Sequence, residues 1–352
     1  TLSTHSTIEI GSILEGSFHT LLHTKYANSK IVILVDENTH DECLEYLITS
    51  FPDELSEAEV MLLPAGEENK VMEVCFQILE ELSEYKIGRK DVIINLGGGV
   101  ITDMGGFIAS IYKRGIDVIN IPTSYLGMVD AAIGGKVGID LGELKNQLGS
   151  FYWPKNIFID PIFLQTLPEE EQINGIAEAL KAALVYDKET WEILKSFSDV
   201  EQYFNIDILR KIVAIKQSIV EKDPYEENLR KVLNFGHTVG HAIEGYLLFK
   251  DPIKHGYAIA VGMVIEAQIA VQLQLMTPDT YKEIMTEICK WFAPIEFEEE
   301  EFEALIELMK HDKKNYNGEI KMALVTEIGQ ANHDVSVPVS VIREALKLLI
   351  IK

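Results

Sequence analysis

Residues Asp91 to Gly106 read DVIINLGGGVITDMGG. The apolar, β-branched run Asp91 to Leu96 has the texture of a buried strand, stopped by Gly97-Gly98-Gly99. The small-residue stretch from about Thr102 to Tyr112 then reads as a helix. Consecutive glycines let a backbone approach a pyrophosphate closely, and the helix start that follows offers N–H donors and a favourable dipole. The spacing is not the usual G-x-G-x-x-G, and a tight turn uses glycine in the same way. A dinucleotide is the ligand that suits the pattern.

Working outward, Lys30 to Val35, Val60 to Leu63 and Val118 to Ile121 read as further short strands, and Val71 to Tyr85 carries apolar residues at helical spacing. Strand and helix in alternation predict an open parallel sheet whose ligands bind beyond the carboxyl ends of the strands. Asp36 and Asn38 follow one strand end, where they could bond ribose hydroxyls or merely cap the next helix. The glycine-rich stretch Val129 to Gly149 reads as a loop with exposed donors wrapped around a ligand, and Lys136, directly after Gly134-Gly135, is well placed for a phosphate.

Beyond about Phe163 helical periodicity dominates, with helices expected at Pro168 to Leu184, Thr190 to Ser196, Asp207 to Glu221, Leu229 to Gly245, Tyr257 to Gln272 and Asp279 to Lys290. Glu296 to Glu303 reads as a solvated acidic stretch and Lys321 to Val325 as a short strand. The expected fold is an α/β, Rossmann-like nucleotide-binding N-terminal domain (residues 1–163) and a mostly α-helical, metal-binding C-terminal domain (residues 164–352). Within Asn234 to Glu244, NFGHTVGHAIE, His237 and His241 stand four apart on one helix face and can share a divalent metal. Glu178 and His255 are further candidate ligands, and periodicity does not choose three from these four. Lys181, Lys216 and Arg230 are the nearby cations.

The chain holds 31 Lys and Arg against 56 Asp and Glu, a formal net charge of −25, which disfavours nucleic acid and anionic membranes as partners. Three widely spaced cysteines suggest neither a disulfide framework nor a thiolate metal site, and a reducing cytoplasm is expected. No run approaches the roughly 18 apolar residues that span a bilayer.

The blocks LGGGVITDMGGFIAS, KRGIDVINIPTSYLGMVDAAIGGKVGID, LKNQLGSFYWPKNIFID, TLPEEEQINGIAEALK, DPYEENLRKVLNFGHTVGHAIE, HGYAIAVGM and DKKNYNGEI, in this order, resemble the 3-dehydroquinate synthase family, sugar-phosphate cyclases of the shikimate pathway. DEN and PAGEENK upstream match more weakly. The resemblance implies NAD and a divalent metal, usually Zn2+, with Co2+ or another ion as substitute. It assigns the metal to Glu178, His237 and His255, and moves His241 to the substrate side. It implies that Asp130, Lys136, Lys145, Asn146, Lys181, Lys216, Arg230, Asn234 and His241 meet the substrate, with Lys313 or Lys314 closing on its phosphate and Arg114 supplied by the partner in a homodimer. Of these, Lys136, Lys181, Lys216, Arg230, Asn234 and His241 carry the catalytic assignment. NAD is assigned to Asp36, Asn38, Glu67, Lys70, Gly98, Gly99, Asp103, Thr123, Ser124, Lys145 and Thr166.

The implied substrate is a small sugar-phosphate acid, 3-deoxy-D-arabino-heptulosonate 7-phosphate, and the products are 3-dehydroquinate and phosphate. The implied steps are transient oxidation by NAD, phosphate elimination, hydride return and intramolecular aldol closure, with the substrate's own phosphate assisting deprotonation. Tyr257 stands where many members have glutamate, Ser124 where many have threonine, and Ala182-Ala183 where bulkier residues are common. Rival readings are a cyclase acting on sedoheptulose 7-phosphate or glucose 6-phosphate, a metal-dependent alcohol or glycerol dehydrogenase, and a non-catalytic NAD-binding regulator. Gly134-Gly135-Lys136 and Arg230 favour a carboxylate-bearing substrate over the first, and Lys136, Lys145, Asn146 and Arg230 favour a polyanion over the small neutral alcohol of the second.

Overall fold

The structure, a computed structural model, describes residues 6–142, 144–248, 250–310 and 320–350. Lys313 and Lys314 lie outside the described residues. The chain divides into two compact units, one running up to Gln172 and including Phe204–Val213, the other formed by Ile173–Tyr203 and the residues from Ala214 onward.

Among the described residues, eight strands belong to the first unit: β1 Thr7–Ile10, β2 Ile31–Asp36, β3 Glu59–Leu63, β4 Val92–Gly97, β5 Asp117–Pro122, β6 Lys136–Leu141, β7 Leu144–Phe151 and β8 Asn156–Ile159. Its helices are α1 Phe18–Lys25, α2 Glu37–Thr39, α3 Glu45–Ser50, α4 Pro52–Leu55, α5 Met72–Glu84 and α6 Gly99–Ile111. Six strands form one sheet in the order β1-β8-β5-β4-β2-β3, every pairing parallel. Every residue of β4 and all but the last of β2 are buried, as a parallel sheet covered on both faces requires. Strand order reverses between β2 and β4, so the crevice at their carboxyl ends opens between Asp36 and the glycines after Leu96. On one face, Val32, Leu34, Met61 and Ile93 pack with Ile78 and Leu82 of α5 and Met104 and Ile108 of α6.

The expected loop at Val129 to Gly149 is a turn only in its first part, up to Gly135. Lys136 to Phe151 fold as the antiparallel hairpin β6–β7. Two of its glycines allow the strands to approach: a Cβ on Gly138 would lie 2.8 Å from the Leu148 carbonyl oxygen, and one on Gly149 2.5 Å from that of Val137.

Helices α7 Glu169–Tyr186, α8 Lys188–Lys195, α9 Ile206–Lys222, α10 His237–Leu247, α11 His255–Gln272, α12 Pro278–Trp291, α13 Phe302–Lys310 and α14 Val339–Leu346 follow. An antiparallel pair, β9 Ile320–Glu327 and β10 Gln330–Val337, extends the single strand expected near Lys321. The helix expected over Leu229 to Gly245 is broken. Leu229–Asn234 is a 3-10 turn, and Gly236 takes a left-handed φ of 82° before α10 begins. The acidic stretch is not wholly solvated either, since Phe297 and Phe302 are buried.

α10 and α11 approach closely through glycine. A Cβ on Gly262 would stand 2.0 Å from the Gly236 carbonyl oxygen, whereas one on Gly245 meets nothing within 4 Å. Gly262→Ala is therefore expected to destabilise the fold by about 1–3 kcal/mol through overpacking. Gly245→Ala is expected to stabilise it by about 0.5–1 kcal/mol through helix propensity. Urea midpoints of the two variants check both signs.

Candidate active site

In the first unit the glycine-rich strand end is built as the sequence suggested. A Cβ on Gly97 would strike Ile101 at 2.5 Å, and one on Gly98 would lie 3.1 Å from Ser124 Oγ. Gly98 is the N-cap of α6 and supplies no side-chain cap, so the first N–H groups of that helix keep their capacity for an anion. Thr123 is buried and donates its N–H to the Gly97 carbonyl at 3.1 Å, while Ser124 Oγ accepts from Gly127 N–H at 3.1 Å. The serine departure thus keeps a working hydroxyl beside the glycines.

Glu67, Lys70, Asp103, Lys145 and Asn146 come together from a 3-10 turn, α6 and β7. The buried Lys70 ammonium donates to Asp103 Oδ2 and Asn146 Oδ1, each at 2.7 Å, and lies 3.8 Å from Glu67 Oε1. Lys145 Nζ is 3.5 Å from the same Glu67 oxygen. Burial opposes the charge on Lys70, but the carboxylates of Asp103 and Glu67 outweigh it and hold the ammonium above the ordinary lysine range. Asn146 has a left-handed φ of 51° and its N–H bonds Asp140 Oδ1 at 2.6 Å.

Asp36 serves as the N-cap of α2, accepting from Thr39 N–H at 2.8 Å, and Asn38 is exposed in that same turn. The exposed Thr166 bonds the Cys43 thiol, which burial pushes up to about 11 despite that bond. Asp130 sits in a π-helical turn, Gly127–Ala131, and Lys136 is exposed at the start of β6. Arg114 is exposed with a left-handed φ of 67°.

The remaining described residues lie in the second unit. Glu178 and Lys181 are buried one turn apart on α7 and paired through Glu178 Oε2. The other oxygen, Oε1, is buried and accepts no hydrogen bond, yet lies 3.6 Å from His237 Nε2 and 3.8 Å from His255 Nε2. His237 and His241 on α10 and His255 at the start of α11 bring one ring nitrogen each within 4.8 Å of the others. The opposite ring nitrogens are also placed: His237 Nδ1 lies 3.3 Å from the Phe235 carbonyl oxygen and His255 Nδ1 3.3 Å from Glu244 Oε2. A proton on each Nδ1 turns both Nε2 lone pairs toward Glu178. An unsatisfied buried oxygen facing two imidazole nitrogens fits a divalent metal with three protein donors.

Lys216 on α9 and Arg230 are buried. Arg230 donates to the Pro224 carbonyl at 2.7 Å, and its turn is held by Asp223, which accepts the N–H groups of Glu227, Asn228 and Arg230. Burial would raise the Asp223 carboxyl, but those three bonds and the Arg230 charge keep it below the usual range. Asn234 Nδ2 donates to Glu226 Oε1 at 2.7 Å. Tyr257 packs edge-on against Phe292 at 5.1 Å between ring centroids.

Sequence reading missed three residues that position this cluster. Fully buried Glu266 accepts from Gly236 N–H at 2.7 Å and Val239 N–H at 3.0 Å, capping α10 from within α11. Glu244 orients His255, and Asn174 Oδ1 accepts from Gly256 N–H at 2.6 Å. Buried acids on apolar helices are the sequence signal that could have found Glu244 and Glu266.

A parallel nucleotide-type sheet together with a glutamate–histidine cluster in a helical unit defines a class that the solved structures of similar fold represent. One is 2-epi-5-epi-valiolone synthase from Streptomyces hygroscopicus subsp. jinggangensis, solved with NAD+ and Zn2+ bound, at 27% identity and a TM-score of 0.84 over 98% of this chain and 96% of that one. A probable glycerol dehydrogenase from Sinorhizobium meliloti shares the fold at 13% identity and a TM-score of 0.62, over 95% and 94% of the two chains. Within that class the sequence is decisive. Family profiles described as 3-dehydroquinate synthase N-terminal and C-terminal match residues 60–174 and 175–315, and the chain belongs to the 3-dehydroquinate synthase family. The 3-dehydroquinate synthase of Parabacteroides distasonis is 39% identical over 90% of each chain, and that of Campylobacter concisus 42% identical over 77% of this chain and 78% of its own.

Removing the Glu266 carboxylate strands two buried N–H groups at the start of α10. Glu266→Ala is expected to cost roughly 1–3 kcal/mol per stranded donor. Chemical denaturation measures the loss, and Glu266→Gln, which keeps one acceptor, is expected to recover part of it.

Proposed function

We propose that this chain converts 3-deoxy-D-arabino-heptulosonate 7-phosphate to 3-dehydroquinate and phosphate. Membership of the family supports the reaction, and the observation that carries it to these residues is the unsatisfied Glu178 Oε1 facing His237 Nε2 and His255 Nε2. Glu178, His237 and His255 would hold the metal. Asp36, Asn38, Glu67, Lys70, Gly98, Gly99, Asp103, Thr123, Ser124, Lys145 and Thr166 would bind NAD. When bound, the metal supplies Lewis-acid stabilisation of an alkoxide and NAD supplies a reversible hydride acceptor.

The chain's own residues bind, orient and balance charge. Lys181 is paired with Glu178, so its position is set beside the proposed ligands, where it can offset negative charge developing on a substrate oxygen. Lys216 and Arg230 are cations in buried positions, which suits recognition of a carboxylate and a phosphate rather than a neutral alcohol. Asn234 and His241 are the proposed hydrogen-bonding partners of substrate hydroxyls. Asp130, Lys136, Lys145 and Asn146 are the proposed substrate ligands of the first unit, and Lys313 or Lys314 a further phosphate contact. With proton transfer left to the substrate's own phosphate, these groups have mainly to position the substrate.

Arg114, exposed and in a left-handed turn, is proposed to serve the partner's site in a homodimer. A cytoplasmic location is supported by Cys43 and Cys75, buried and unpaired in disulfides. Among the described residues no helix is long and apolar enough to cross a membrane.

Purified protein supplied with NAD+, Zn2+ and the heptulosonate phosphate is expected to release phosphate with no net NADH. Stoichiometric NADH, or turnover with sedoheptulose 7-phosphate alone, would sink the assignment. Glu244→Gln weakens the anchor of His255 and is expected to lower zinc affinity by about 10- to 100-fold, read by competition with a chromophoric chelator.

A further inference from the structure

One cluster of metal-ligating side chains stands in the first unit and takes no part in the reaction described above. Helix α1 places His19 and His23 one turn apart, with ring centroids 4.4 Å from each other. Glu54, on the short helix α4, turns its Oε1 between them, 2.6 Å from His19 Nδ1 and 2.6 Å from His23 Nε2. The Glu54 side chain is 5% exposed, while the two imidazoles are 54% and 50% exposed.

Glu54 Oε1 is a buried oxygen that accepts no hydrogen bond, although both ring nitrogens sit at hydrogen-bond distance. The rings therefore approach it without the N–H direction that a proton bridge requires. A buried carboxylate oxygen without a donor is unfavourable, and a cation among the three donors removes the deficit. Two imidazoles and one carboxylate make a borderline donor set, suited to zinc and its late first-row neighbours, whereas calcium and magnesium favour oxygen ligands.

We propose that His19, His23 and Glu54 form a second divalent-metal site of zinc type that ties α1 to α4 and stabilises the first unit. Zinc–nitrogen and zinc–oxygen bonds of about 2.0–2.2 Å need the donors somewhat further apart than they stand, a change that rotation of two exposed imidazoles supplies. The solvent side leaves the fourth position for water. The ion is structural in this role: it bridges two helices and touches none of the groups assigned to the reaction.

The test counts zinc in the full chain after chelator stripping, dialysis against excess zinc chloride and removal of loose ion. Wild type is expected to hold two zinc per chain, His19→Ala/His23→Ala one with unchanged turnover, His237→Ala one, and the combined variant none. Zinc should raise the thermal midpoint of His237→Ala and leave that of the combined variant where it was. Glu54→Gln, nearly isosteric, should lower the affinity of this site at least tenfold, which covers the case in which the histidine variants fold poorly. Were the reaction site to hold no zinc, wild type would carry one and His19→Ala/His23→Ala none, and the proposal would stand. It is overturned if His237→Ala binds no zinc, or if His19→Ala/His23→Ala retains every zinc that wild type holds.

Discussion

The Glu266 carboxylate, fully buried on α11, accepts the N–H groups of Gly236 and Val239, and the histidine cluster of the helical unit depends on that contact. Four N–H groups at a helix start lack partners within the helix, and in a buried location they must find acceptors elsewhere. One side chain from the neighbouring helix meets two of them, which fixes where α10 begins and hence which way His237 and His241 project. The close approach of Gly262 to the Gly236 carbonyl brings the two helices near enough for this bond. Bulk at either glycine would separate the cap from the turn it holds.

The same economy of placement runs through the ligand geometry. Glu178 spends one oxygen on Lys181 and leaves the other facing His237 and His255, whose far ring nitrogens meet the Phe235 carbonyl and Glu244. Protonation at Nδ1 then follows from the acceptors present, and the Nε2 atoms carry the lone pairs. In the first unit a different logic applies. There the sheet's reversal between β2 and β4 opens a crevice at the strand ends, and the uncapped start of α6 beside it is suited to an anion. A net charge of −25 has no bearing on either site, because buried cations such as Lys70, Lys181, Lys216 and Arg230 act over the few ångströms of their own surroundings.

Much of this was legible in the residues. The alternation of strand and helix around DVIINLGGGVITDMGG predicts the parallel sheet, and the spacing of His237 and His241 puts both on one helix face, as found. The reading of Val129 to Gly149 as a loop failed beyond Gly135 because glycine marks close backbone approach without saying what approaches; at Gly138 and Gly149 it is the facing strand of a hairpin. The continuous helix expected from Leu229 failed for a related reason: apolar periodicity runs through Gly236, and only its left-handed backbone and the Glu266 cap break the helix. Phe297 and Phe302 were hidden among glutamates whose charge dominates any windowed reading.

What the sequence by itself determined is the order and type of the main elements, the glycine-rich strand end, the paired histidines and the family. Periodicity and spacing act within a single element, where backbone geometry alone relates one residue to another. Tertiary structure alone decided that Glu178 from α7 faces His237 and His255, that Glu266 caps α10, and that Glu54 meets His19 and His23. These side chains lie on elements separated along the chain, and only packing brings them within reach of one another.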